Sequence, residues 1–238
     1  MVLAGSLFTP AIVAAVRLIH YRTLPNIYSA DAFWPTMWRS CWESTAIFFL
    51  PLCAILATSL ITQIEFKSNA WKQLHTLPVS TAVIFLSKLA VILVMLMEFL
   101  ILFNAGIYVS AMIPSVLVPG VPHPKGSFLS LPLFQENALY FVHCLPIIGA
   151  QYLMSLRSNN VLIPIGIGFM AWVAAIASVS SKFAIWWPYS YTIIQYLKDR
   201  PKGAQFASHH ELPWLALIAF VALTVVSYGM FVTKDERG

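Results

Sequence analysis

Four of the stretches of twenty residues or more that carry no charged side chain constrain this chain's fold more than any other feature. They are Ser44 to Ile64, Asn137 to Leu156, Ser158 to Ser181 and Leu212 to Thr233, each bounded on both sides by a charged residue. A helix rises about 1.5 Å per residue, so roughly 20 apolar residues cross the hydrocarbon layer of a bilayer. A fifth stretch, from about Val83 to Met112, is broken only by Lys88 near its start and Glu98 within it. Val2 to Ile19 is shorter and ends at Arg17, a side chain long enough to snorkel to the headgroups. It has no basic region ahead of its apolar run and carries Pro10 in its middle, so it reads as a retained helix rather than a signal peptide.

Composition points the same way. Hydrophobic residues make up 59% of the 238 and charged residues 10%, against about 45–50% and about 25% in soluble domains. A soluble globule, a disordered tail, a collagen-like fibre and a disulfide-rich module are thereby excluded. The net charge of +5 comes from basic residues scattered singly between apolar blocks, the pattern of membrane anchors rather than of a nucleic-acid-binding stripe. Cys41, Cys53 and Cys144 form no CxxC pair and indicate neither a disulfide framework nor a zinc site. The expectation is an all-α membrane protein in one domain, with spans at about 2–19, 44–64, 83–112, 137–156, 160–181 and 212–233.

Six spans place both termini on one side. The connections are then long on one face (Tyr21 to Trp42, Ile113 to Gln135, Lys182 to Glu211) and short on the other (Glu65 to Ser80, Arg157 to Asn160). Trp34, Trp38, Trp42, Trp186, Trp187, Tyr189, Tyr191 and Trp214 crowd the long-loop side, where an interfacial aromatic belt is expected. Eight Lys/Arg residues fall on that side and six on the other, a difference too small for the positive-inside rule to fix orientation.

The segment after the second span is the most informative. From about Ser68 a helical register puts Ala70, Trp71, Leu74 and Leu77 on one face, with Lys67, Lys72, Gln73 and His75 largely elsewhere. Pro78 stops that helix and Ser80 is placed to cap the next one. Periodicity alone fits a surface helix resting on the lipid interface. The residue pattern goes further. Glu65 at the end of a span, Asn69, Trp71 and Lys72 in a short helix, the Leu77-Pro78 pair and Lys88 opening the next span resemble the permeases of ABC-2 type exporters, in particular the bacteriocin and lantibiotic immunity and export group. Leu156 to Gly168 and Trp187-Pro188-Tyr189-Ser190-Tyr191 continue the likeness.

The resemblance implies six membrane helices of exporter architecture with a coupling helix at about 66–78, carrying Glu65, Asn69, Trp71, Lys72, Leu74, Leu77 and Pro78 against a cytoplasmic ATP-binding subunit. It further implies both termini in the cytoplasm of a bacterium, placement in the inner membrane, and a second permease, identical or related. ATP and Mg would be bound by the partner. The expected substrate is an amphipathic peptide or a lipid-like molecule taken from the membrane.

Glu98 is the acidic residue well inside a span, and intramembrane carboxylates face cavities or bundle interiors. Counting from Met112 and Asn137 as outer boundaries puts Glu98 about 21 Å deep and His143 about 9 Å deep, which separates them. The apolar, aromatic segment 182–197 is expected to lie in or dip into the outer interface, with Trp186, Trp187, Pro188 and Tyr189 as candidates for an exit gate. Gly166-x-Gly168-x-x-Ala171 sits in a membrane stretch and reads as helix packing rather than dinucleotide binding. His209, His210 and Glu211 are weak as metal ligands. With no Walker, HExxH or GxSxG motif, neither a catalytic site nor a metal site is assigned. The alternatives are an intramembrane enzyme using Glu98 and His143, and a structural membrane anchor.

Overall fold

The computed structural model describes residues 1–67, 80–198 and 211–235. Every regular element among the described residues is helical: α1 (Val2–Ile19), α2 (Leu24–Tyr28), α3 (Phe33–Ser44), α4 (Leu50–Lys67), α5 (Thr81–Leu117), α6 (Leu131–Arg157), α7 (Leu162–Ser178), α8 (Tyr191–Leu197) and α9 (Leu212–Asp235). Five stretches are long and apolar enough to cross a membrane: Val2–Ile19, Phe33–Gln63, Thr81–Leu117, Pro132–Arg157 and Leu212–Thr233. The span expected at 160–181 is α7, a helix of 17 residues that is about 25 Å long and stands at the short limit for crossing. Residues 66 and 67 of the expected coupling helix are the last two of α4, and 68–78 lie outside the described residues.

The helical stretch that holds the second expected span starts well before Ser44. Phe33, Trp34, Met37, Cys41, Trp42, Thr45 and Ala46 recur at helical spacing and are buried, while Arg39, Ser40, Glu43 and Ser44 face outward. Charge marked Glu43 as a boundary, but here it lies on the outer side of an amphipathic helix whose other side is core. α3 joins α4 through a π-helical turn at Thr45–Phe49. Pro51 explains the widening, because it has no amide to give the Ile47 carbonyl and its ring crowds that carbonyl. The indole of Trp172 in α7 donates to the Ile47 carbonyl instead, at 2.8 Å.

Contacts fix the relative heights of the helices. Gly5 faces Phe99, and Gly106 faces Leu7 and Pro10, so α1 runs parallel to α5. A Cβ on Gly106 would stand 2.9 Å from Leu7 Cδ2, so a larger residue there would displace the Leu7 side chain. Asn104 in α5 and Asn137 in α6 exchange side-chain hydrogen bonds at 2.8 and 3.2 Å. Toward the Arg157 end of α6, the Tyr152 hydroxyl donates to the Phe85 carbonyl at 2.8 Å. α9 packs mainly along α6, and one continuous core joins α3 through α8.

Two further expectations are corrected. Arg17 does not snorkel outward: its guanidinium lies over the rings of Phe33 (4.9 Å) and Tyr28 (5.6 Å), a cation–π arrangement that keeps the charge against the bundle. The aromatic belt divides into two sets. Trp186, Trp187 and Trp214 are exposed, whereas Trp34, Trp42, Tyr189 and Tyr191 are buried. Trp42 stacks on Tyr140 with ring centroids 3.6 Å apart and meets the edge of Phe103.

Candidate functional site

Residues 179–198, which follow α7, re-enter the bundle. After α7 ends at Ser178, short 3-10 turns occupy Lys182–Trp186 and Pro188–Ser190. The Trp187 indole donates to the carbonyl of Ala171 at 2.8 Å, seven residues back along α7, or about 10 Å. The Tyr189 hydroxyl then donates to Gln151 Oε1 of α6 at 3.0 Å. From this apex the chain turns back along α6. Gln195 Nε2 donates to Glu136 Oε2 at 2.9 Å and Lys198 forms an ion pair with Glu136. Gln151 and Glu136 are fifteen residues apart on α6, about 22 Å, so the segment descends and climbs as a hairpin.

The two legs have opposite characters. Phe183 and Trp186 on the descending leg are each 77% exposed. On the ascending leg Tyr191 through Tyr196 are all buried. Of the gate candidates, then, Trp186 and Trp187 face outward, Pro188 is half-buried at the bend, and Tyr189 is inside. An interfacial segment lying flat would expose one face along its length, but α8 hides both, against α6 and the π turn.

Beneath the apex lies a buried network of neutral polar groups. Gln151 Nε2 donates to Ser59 Oγ at 2.8 Å and to the Pro164 carbonyl at 2.6 Å. Ser155 Oγ stands 3.4 Å from Ser59 Oγ. Gln63 Nε2 donates to the carbonyls of Ser155 (3.2 Å) and Ser158 (2.6 Å). Gln151, Ser59, Ser155, Gln63 and Tyr189 are each buried, and α4, α6, α7 and the hairpin thereby meet through directional bonds. Gly168 makes room for this: a Cβ there would run into Gln151 Oε1 and stand 2.9 Å from Ile55 Cγ2. Gly166 faces open space, so only Gly168 of that pair serves packing. A search by charge passes over this network. The signal was two neutral pairs at i, i+4 spacing, Ser59 with Gln63 and Gln151 with Ser155.

The charged candidates separate differently from the expectation. Asn104 and Asn137 are level, so Glu98 and His143, each six residues further in, are both about 9 Å below that level. The expected difference in depth vanishes because Met112 and Asn137 are not level: α5 passes Asn137 at Asn104, eight residues before Met112. What separates them is facing. Glu98 is exposed on α5 with no hydrogen bond or ion pair among the described residues, while His143 is buried, with neither ring nitrogen bonded and Tyr191 at 6.5 Å between ring centroids. Lys88 is buried, its ammonium 5.8 Å from the centre of the Phe231 ring. Glu65 belongs to the last turn of α4, and Asn69, Trp71, Lys72, Leu74, Leu77 and Pro78 lie outside the described residues. Among the described residues no three His, Cys, Asp or Glu side chains gather as metal ligands.

A groove of about 540 Å³ opens between α5 and α6 beside the Asn104–Asn137 pair, walled by apolar side chains including Met97, Ile101, Phe128, Phe134 and Phe141. Residues 1–178 match the family model described as ABC-2 family transporter protein. No curated protein and no solved structure matches the chain.

Proposed function

The chain belongs to the ABC-2 transporter family, and from that premise we propose that it is the permease of an exporter for an amphipathic peptide or lipid-like molecule. As a member of that family it is a membrane-spanning permease subunit and works with a separate ATP-binding partner. The single observation that carries the export reading is the re-entrant hairpin, a plug whose apex at Tyr189 reaches an α6 residue about 22 Å from Glu136. In this reading the hairpin is the exit gate, and the partner's binding of ATP and Mg drives it through a coupling helix at 66–78. Glu65, Asn69, Trp71, Lys72, Leu74, Leu77 and Pro78 meet the ATP-binding subunit, and Lys88 anchors the start of α5. The Arg157 end and both termini then face the cytoplasm across a bacterial inner membrane.

The apolar groove between α5 and α6 supports an amphipathic or lipid-like substrate over a polar one, and the bacteriocin or lantibiotic group supplies the peptide case. Glu98, exposed at membrane depth, sits where a second permease or the substrate would cover it, since a bare carboxylate there costs about 2.5–3.5 kcal/mol on insertion scales. No Glu98–His143 hydrogen bond exists to support intramembrane catalysis.

Affinity purification in mild detergent, with identification of co-purifying proteins and an ATPase assay, tests the proposal. Recovery of a Walker-motif ATPase that is lost when Trp71 and Lys72 are both changed to Ala is the expected result. Recovery of the chain alone, without ATP turnover, would contradict it.

A further inference from the structure

We infer that Gln151 is a positioning residue that passes movement of α4 to the apex of the hairpin, an inference that rests on the ATP-driven permease reading. Residues 68–79 join α4 to α5, so displacement of that segment is passed to α4 as well as to α5. Within the bundle, α4 presents Ser59 to Gln151 and Gln63 to the last turn of α6. The Gln151 amide is saturated on its donor side: its two N–H groups go to Ser59 and to the Pro164 carbonyl, and its oxygen takes the Tyr189 hydroxyl.

One planar group therefore holds three elements at once. A hydrogen bond of 2.8 Å is lost once its atoms part by much more than about 0.5 Å. If α4 moves relative to α6 by that amount, the amide must either follow Ser59 or leave it unbonded. Following it drags the oxygen away from Tyr189, which then leaves its seat or moves with the amide. Room for the amide to shift is limited on the side of Gly168, whose backbone stands so close that an added Cβ would collide with Oε1. An unbonded buried polar group costs about 1–3 kcal/mol, so the apex has a free-energy reason to respond.

The hairpin is also built to answer as a unit. Its bonds to the bundle include the Tyr189–Gln151 bond at the apex, the Trp187–Ala171 bond to α7 beside it, and the Glu136 contacts with Gln195 and Lys198 at the far end. Between them, the Thr192 hydroxyl and both nitrogens of His143 are buried with no hydrogen-bond partner. Nothing polar pins α8 at those groups, and the Glu136 contacts hold its far end when the apex is released.

The test uses the full permease with its co-purified ATPase in proteoliposomes, carrying Trp186→Cys as a reporter on the exposed leg. The rate of labelling by a membrane-impermeant maleimide is compared without nucleotide and with ATP plus vanadate. Tyr189→Phe and Ser59→Ala each remove one bond of the relay and no bulk. Each is expected to reduce the nucleotide-dependent change in rate roughly tenfold, and the double variant no further, because the two bonds act in series. Single variants that keep the full response, or effects that multiply in the double variant, would overturn the relay while leaving the gate reading intact. A reporter that ignores nucleotide in the otherwise unaltered complex, with its ATPase bound and active, would overturn the hairpin as the moving gate and the relay with it.

Discussion

The two ends of the bundle are held together by different forces. At the Glu136 end an aromatic cluster does most of the packing beside the Asn104–Asn137 and Glu136 bonds: Trp42 lies flat on Tyr140, Trp38 tilts against both, and Trp34 meets Tyr108 and Phe128. At the Arg157 end Gln151, Ser59, Ser155 and Gln63 join α4, α6 and α7 by hydrogen bonds. Aromatic faces give large burial with weak dependence on small shifts, whereas hydrogen bonds fail over a fraction of an ångström. The first end is suited to hold, and the second to report displacement.

The largest expected loss comes from breaking the aromatic end. Trp42→Ala removes a side chain with no exposed surface and should cost about 3–5 kcal/mol, read as a drop in thermal stability in detergent. At the polar end, Gln151→Leu strips three hydrogen bonds at little change in volume and should cost about 1–3 kcal/mol in the same assay. Gly168→Ala adds one carbon against Gln151 and Ile55; a penalty of about 1–3 kcal/mol is expected from overpacking.

Smaller effects sharpen the comparison. Trp172→Phe gives up the bond to the Ile47 carbonyl for about 1 kcal/mol. That penalty should shrink in a Pro51→Ala background, where the helix regains its own donor, and a double-mutant cycle reads the difference directly. Glu98→Gln should stay within about 0.5 kcal/mol in the isolated chain, since Glu98 is exposed and has no partner among the described residues.

Much of the helical framework could be read from charge-free lengths, because a charge rarely enters a span. That rule stops short of the helix's start at Phe33, since Glu43 and Arg39 ride the outer face of a helix whose inner face is Trp34, Met37, Cys41 and Trp42. Periodicity, followed past the charges, would have extended it to Phe33. The depth of Glu98 was misjudged for a related reason: an apolar run shows where a helix can extend but gives no common origin for two helices, and the Asn104–Asn137 pair supplies one. The hairpin was the least legible part. Its composition resembles an interfacial helix, and only the long-range bonds from Tyr189, Gln195 and Lys198 to α6 reveal that it turns inward.

The re-entrant path of residues 182–198 is the claim on which the gate and the relay both stand. Single cysteines placed along it in a background lacking Cys41, Cys53 and Cys144, labelled with a membrane-impermeant maleimide in nucleotide-free proteoliposomes, measure it directly. The account predicts fast labelling at Phe183 and Trp186 and protection from Tyr189 through Tyr196. Labelling that instead alternates with helical period along the whole segment would show a helix lying flat at the interface and would contradict it.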